Sequence, residues 1–204
     1  MVSILLTSRD LLFLHVPRTA GGSLSRALRQ EPDATVYGVE NMEYAEPCVE
    51  QLQRRLPNRL SDYTTFAVVR NPWDWAVSGY IHLTANAPAF DDPPTFADFV
   101  RGAGQRATRN PYPAKFTSGT TCVTYHAGIS QWEHITTNGI LTIDHLCRFE
   151  SLEDDLLKVL GKKVDLPHVH KSERTHYASY YDEATMLIVA RRNAPLIKHF
   201  GYRF

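Results

Sequence analysis

The sequence has no surplus of either charge: 22 Lys and Arg stand against 22 Asp and Glu in 204 residues, and nine His add nothing while neutral. A protein that lives on nucleic acid or an anionic bilayer carries a basic excess, because each phosphate contact needs a cation. A general polyanion binder is therefore excluded. Cysteine is scarce as well. Cys48, Cys122 and Cys147 are odd in number and form no C-x-x-C pair, which argues against a disulfide framework and suits reduced, buried thiols. Long apolar runs are missing. The apolar stretch in MVSILLTSRD ends at Arg9-Asp10, too short for a signal-peptide core, and nothing later approaches the roughly 18 residues of a membrane span. A soluble, cytoplasmic protein with no membrane span and no nucleic-acid partner is expected. Repeats, low-complexity tracts and like-charge blocks are lacking too, so a single domain over 1–204 is the natural expectation.

What is present alternates between strand and helix patterns. Residues 11–16 (LLFLHV), 63–69 and 145–149 are short continuous apolar runs of the kind found in parallel strands buried on both faces. Helical spacing follows the first at 23–28 and recurs at 46–56. Asn71 then Pro72 reads as an N-cap with Pro at the first helical position, opening a helix to about residue 84. A short helix is expected near 95–102, and one over 152–160, with Ser151 and Asp154 resembling an acidic capping box. The last helix runs from about 182 to 199, where Pro195 should kink or interrupt it. Residues 85–125, rich in Pro, read as an irregular excursion whose Phe90, Phe96, Tyr112 and Phe116 suit either a pocket or simple packing. This order predicts an α/β fold, a P-loop-like three-layer architecture with a central parallel sheet flanked by helices.

The first strand runs into Pro17-Arg18-Thr19-Ala20-Gly21-Gly22-Ser23 and then a helix. Such a turn aims backbone N–H groups and the positive end of a helix dipole at one place, which makes an anion site. Glycines let the backbone approach an oxyanion closely, and Ser23 can add a hydroxyl. An ordinary tight turn would look the same. The triphosphate-binding pattern G-x-x-x-x-G-K-[ST] fails here, because Gly22 stands where its Lys should be and Val16 where its first Gly should be.

The segment LHVPRTAGGSL resembles instead the 5′-phosphosulfate loop of sulfotransferases, usually Pro-Lys-Thr-Gly-Gly-Thr-Ser-Leu, whose donor is 3′-phosphoadenosine-5′-phosphosulfate (PAPS). The resemblance implies that Arg18, Thr19, Ala20, Gly21, Gly22, Ser23 and Leu24 hold the 5′-phosphate, largely through backbone N–H groups. It also implies that the side chain at position 18 stabilises the bridging oxygen as the sulfuryl group leaves. Arg18 replaces the usual Lys and Ala20 the first Gly. Arg keeps the charge, but its planar fork is not equivalent to an ammonium.

Arg70-Asn71-Pro72-Trp73-Asp74-Trp75-Ala76-Val77-Ser78-Gly79-Tyr80 resembles the family's 3′-phosphate motif, Arg-Asn-Pro-x-Asp-x-x-x-Ser-x-Tyr. Arg70 closes a strand at the edge where open α/β sheets bind ligands, and Ser78 lies two turns into the next helix. Arg supplies a bidentate charged contact to phosphate and Ser a short hydroxyl. The plain alternative pairs Arg70 with Asp74 and leaves Ser78 facing solvent. Further along, Arg148-Phe149-Glu150-Ser151-Leu152 resembles the family's Arg-Phe-Glu-x-Leu. The stretch from Leu166 to Arg174, then Tyr180-Tyr181-Asp182, is similar to its Leu-Pro-x-x-Asn-x-Ser-x-Arg loop and Tyr-Tyr-Asp helix start. His170 stands where Asn is usual. Lys171, Ser172 and Arg174 are implied as further ligands of the 3′-phosphate and Arg148 as a contact near the adenine. The resemblance spans most of the chain and is thinnest at 30–60 and 85–140.

It implies in-line sulfuryl transfer from PAPS, with PAP as product, to a hydroxyl or amine of a small-molecule or carbohydrate acceptor. No metal is expected; the His168, His170, His176 group is a weak metal signal. The base is open between Glu40, Glu43 and His82. The first two follow the Pro32-Asp33 turn, and His82 lies one helical turn beyond Ser78 on the same face. Their plain reading is a solvated surface side chain, while His15 suits a structural role. Two other functions remain: a P-loop kinase using ATP with Mg²⁺, and a catalytically degenerate PAP-binding module.

Overall fold

The computed structural model describes residues 2–38, 48–85, 95–102, 130–167 and 174–204. In chain order their elements are β1 (Val2–Leu6), β2 (Leu11–Leu14), α1 (Gly21–Leu28), β3 (Ala34–Gly38), α2 (Cys48–Gln53), β4 (Thr64–Val69), α3 (Pro72–Ala85), α4 (Phe96–Gly102), α5 (Gln131–His134), β5 (Thr136–Thr137), β6 (Ile140–Leu141), β7 (His145–Arg148), α6 (Leu152–Leu160), α7 (Glu183–Arg192) and α8 (Ala194–Phe200). The chain divides into two compact units. Met1–Asn41, Pro47–Arg70 and Glu133–Lys171 form the first, and Met42–Glu46, Asn71–Trp132 and Ser172–Phe204 the second.

The first unit is built on a five-stranded sheet of order β3-β1-β2-β4-β7. β2, β4 and β7 run parallel, with Phe13 opposite Phe66 and Val68 opposite Cys147. These are the three apolar runs read from the sequence. β1 and β3 extend the sheet antiparallel, so it is mixed, a parallel core with an antiparallel flank. Ile4, Leu6, Leu11, Phe13, Phe66, Val68 and Cys147 pack with Leu24 and Leu28 of α1 and Leu156 and Leu160 of α6. The intervening residues Leu5, Leu12, Leu14, Ala67 and Val69 are buried as well, and α2 packs against β2. Burial of both parities explains why these strands read as continuous apolar runs rather than alternating ones. Each fully buried Leu, Ile, Val or Phe contributes about 1.5–3 kcal/mol of transfer free energy, so the sheet is the rigid part of this unit.

In the second unit, Trp73, Ala76 and Val77 of α3 meet Phe96, Phe99 and Val100 of α4 and Val189 of α7. Asn71 caps α3, its Oδ1 accepting from the N–H groups of Trp73 (3.0 Å) and Asp74 (3.4 Å). The single C-terminal helix expected from the sequence is two helices that break at Asn193, with Pro195 in the first turn of the second. That is where proline is tolerated, because the N–H it lacks would have no partner in the helix. Ser151 does not form the expected box with Asp154. Its hydroxyl donates to Asp155 Oδ2 (2.9 Å), which also accepts the Arg148 N–H at 2.9 Å. The excursion at 85–125 lies largely outside the described residues, as does Cys122. Phe96, within the described part, is a packing residue. Cys48 and Cys147 are buried thiols, and burial pushes the Cys147 thiol up to about 12. No helix among the described residues is long and apolar enough to cross a membrane.

Two imidazoles of the first unit, His15 and His134, are strongly shifted by burial. His134 is fully buried, its Nδ1 accepting from Cys48 N at 3.4 Å and 3.0 Å from Cys48 Sγ. Burial lowers His134 to about 3 and His15 to about 4. In the unfolded chain each titrates near pH ~6.5. Below that value the unfolded chain takes up protons that the folded one refuses, so their contribution to stability is complete above pH ~6.5 and is lost as the pH falls through the folded values. The urea midpoint should therefore drop steadily from pH 7.5 to 4.5, and His134→Gln should flatten the slope. An equally steep slope in the variant would show that His134 is not the group responsible.

Candidate functional site

β2, β4 and β7 are parallel neighbours, so their C-terminal ends share one edge of the sheet. Each is followed by a cation: Arg18 four residues past Leu14, Arg70 directly after Val69, and Arg148 as the last residue of β7. This edge is where open α/β sheets bind ligands.

The loop after β2 is held in an uncommon conformation. Arg18 (φ 60°) and Ala20 (φ 68°) both lie in the left-handed region, which an L-residue enters at a cost of about 1–2 kcal/mol. Thr19 between them is fully buried, and its hydroxyl donates to the Val16 carbonyl at 2.9 Å, closing the turn. The Ala20 carbonyl accepts the Leu24 N–H at 3.0 Å, the first bond of α1. Ala20 is the N-cap and offers no side-chain oxygen; α1 has no acidic residue in its first turn. Helix starts are normally met by a capping side chain or a carboxylate. Here the helix's own start supplies neither, since Ala20 caps through no side chain and the first turn holds no acidic residue, an arrangement that suits an external anion. Leu24 differs from its neighbours: its N–H is used within the helix and its side chain is fully buried in the core.

The two glycines have different reasons to be there. A Cβ on Gly21 would lie 2.1 Å from Cδ2 and Nε2 of His15, whereas one on Gly22 would meet nothing within 4 Å. Gly21 is required by the fold. No described residue near Gly22 requires it, so the space above it is compatible with a ligand.

Arg70 is 8% exposed. Its Nη1 donates to the Arg18 carbonyl at 3.3 Å, and its guanidinium carbon lies 4.0 Å from the centre of the Phe149 ring. It thus ties the left-handed loop to the end of β7. Phe149 was quoted in the sequence only as part of a motif; no local pattern marks it as a platform for Arg70. The side chain of Arg148 is exposed.

In the second unit Ser78 is only 4% exposed, so it does not face solvent. His82, half-buried, follows it four residues later on α3. Asp74 holds Arg174 in a short ion pair, with both side chains largely buried. Arg174 Nη1 is buried without a hydrogen-bond partner among the described residues. A guanidinium oriented by a carboxylate on one nitrogen and unsatisfied on the other fits an anionic oxygen. Tyr181 closes over this pair, its hydroxyl donating to the Trp73 carbonyl at 2.8 Å. Burial, reinforced by the Asp74 charge, pushes its phenol up. Asp74 as the orienter of Arg174 was hidden in the sequence because a hundred residues separate them. Glu40, Glu43, Lys171 and Ser172 lie outside the described residues, with His168 and His170. His176 accepts from the Ala178 N–H at 3.3 Å. Among the described residues no group of three acidic, His or Cys side chains could hold a metal.

The family model described as sulfotransferase family matches residues 4–194. No curated protein and no solved structure matches the chain.

Ala20→Gly tests the strain in the loop. Relief of the left-handed conformation is worth about 1–2 kcal/mol, against about 0.4–1 kcal/mol for the greater freedom of glycine in the unfolded chain. The urea midpoint should rise, by no more than about 1.6 kcal/mol in free energy; a lower midpoint would mean that the Ala20 methyl packs favourably.

Proposed function

The chain belongs to the sulfotransferase family, and from that premise we propose that it transfers a sulfuryl group from PAPS to a hydroxyl or amine of a small-molecule or carbohydrate acceptor by in-line displacement. The observation that supports this most is the uncapped start of α1, preceded by two left-handed residues and anchored by Arg70 on the Arg18 carbonyl. PAPS supplies an activated sulfuryl group and leaves as a phosphate. The N–H groups of Thr19 to Ser23 bind its 5′-phosphate. Arg18 sets a positive charge where negative charge develops on the leaving oxygen, an effect largest in the transition state. Arg70, Ser78 and Arg174, with Lys171 and Ser172, recognise the 3′-phosphate, and Arg148 contributes near the adenine.

A base must take the acceptor's proton as the new S–O or S–N bond forms. Glu40 is the first choice, Glu43 the next, and His82 the third; His82 alone of these lies among the described residues.

Thermal denaturation distinguishes this reading from a kinase. A ligand at 100 times its dissociation constant adds about 2.7 kcal/mol of apparent stability. PAP should raise the melting temperature clearly and ATP with Mg²⁺ should not; the reverse result would make the protein a nucleotide kinase. PAP binding with no transfer to any of a broad acceptor panel would make it a degenerate binding module.

Arg18→Ala should leave PAP affinity within about tenfold while abolishing turnover, because its partner charge exists only in the transition state. Equal loss of binding and rate would sink that role. Arg70→Ala should weaken PAP more than adenosine 5′-phosphosulfate, which lacks the 3′-phosphate. Some loss for both is expected here, since Arg70 also supports the loop.

A further inference from the structure

His15 is the one imidazole that touches the anion loop and has no part in the mechanism above. It directly follows β2, and its edge fills the space where a Cβ on Gly21 would stand, with Cδ2 and Nε2 2.1 Å and Cε1 2.8 Å from that point. The ring is held from the opposite side. Its Nδ1 accepts the Val2 N–H at 3.5 Å, the backbone N–H of His15 donates to Ser3 Oγ at 3.3 Å, and the ring stacks on Phe13 with centroids 5.9 Å apart at 23°. Since Nδ1 is the acceptor, the ring proton sits on Nε2, the edge that faces Gly21. β1 and β2 are thereby in contact, through one planar side chain, with the first residue of α1.

That position matters because backbone geometry in the left-handed region persists only where the surroundings over-determine it. The loop has two such residues, Arg18 and Ala20. Arg70 holds the Arg18 carbonyl at one end. At the other, the His15 ring stands against Gly21, where α1 begins.

We propose that His15 is a positioning residue, a ring-sized spacer that sets the height of the α1 N-terminus so that the N–H groups of Gly21, Gly22 and Ser23 stand in register to bind an anion. The inference deepens the reading of that loop as the 5′-phosphate site and rests on it. It assigns His15 neither proton transfer nor contact with the donor.

The experiment uses the full chain with His15→Ala, His15→Asn, His15→Phe, Gly21→Ala and the double variant His15→Ala with Gly21→Ala. Two quantities are read: PAP affinity by calorimetry, and hydrogen exchange at the Leu24 amide, which makes the first α1 bond and needs no ligand. His15→Ala and the milder His15→Asn should each weaken PAP by about tenfold or more and lower Leu24 protection while core amides of β4 keep theirs. His15→Phe, which keeps a ring, should bind PAP within about threefold of the unmodified chain. Gly21→Ala should weaken PAP, and removing His15 in the double variant should recover part of that loss, because the two side chains compete for one space. The proposal is overturned if His15→Asn retains both Leu24 protection and PAP affinity, or if the Gly21→Ala loss is unchanged when His15 is removed. If the unmodified chain binds no PAP, the 5′-phosphate reading falls, while the exchange comparison still decides whether His15 positions the helix.

Discussion

The hydrogen bond from the Arg70 guanidinium to the Arg18 carbonyl is the contact on which the candidate site rests. An L-residue in the left-handed region is disfavoured by about 1–2 kcal/mol, and this loop places two of them, Arg18 and Ala20, on either side of a buried Thr19. Left to itself, such a turn would relax. Arg70 is fixed because it ends a central strand and lies over Phe149, so it can brace the loop without moving itself. The bracing holds the start of α1, where Ala20 offers no capping side chain and the first turn no carboxylate. The proposed 5′-phosphate site depends on that geometry.

Net neutrality takes on a different meaning in this setting. Twenty-two acids and twenty-two bases cancel over the whole chain, yet cations gather at the strand ends. Arg18, Arg70 and Arg148 follow three adjacent parallel strands. Asp155, near Arg148, is occupied locally, accepting the Arg148 N–H and the Ser151 hydroxyl, while Asp144 accepts the Thr65 N–H and hydroxyl at the opposite, N-terminal end of the strands. In the second unit, Asp74 orients Arg174, whose Nη1 has no hydrogen-bond partner among the described residues. A carboxylate used this way orders the cation through one terminal nitrogen and leaves the other for an anion.

Strands and helices with strong internal signals were legible from the sequence. The runs at 11–16, 63–69 and 145–149 are the parallel core, shortened at their ends, because burial on both faces leaves an unbroken apolar string. Asn71-Pro72 marked the start of α3 because both the cap and the proline act within one turn. β1 and β3 were not read as strands. β3 is an edge strand with one partner and with Thr35 and Val36 exposed, so it lacks the apolar run that marks the core, and β1 pairs antiparallel outside the alternation of strand and helix. Ser151 and Asp154 show the limit of local pattern: Asp155, one residue on, accepts both the strand's last N–H and the Ser151 hydroxyl, and a box read by spacing cannot see that competition.

The sequence alone determined the family, the α/β class, and the order of the loop at 17–23 and the junction at 70–78, because these rest on residue types at fixed short spacings. Tertiary structure decided what each member of those motifs does. That Gly21 is required by a histidine and Gly22 by no described residue, that Arg70 carries the loop as well as a charge, that Ser78 is buried, and that Asp74 pairs with Arg174 all depend on contacts between residues far apart in the chain. Such contacts leave no local signature, since the physical requirement at each position is set by a neighbour that only folding brings there.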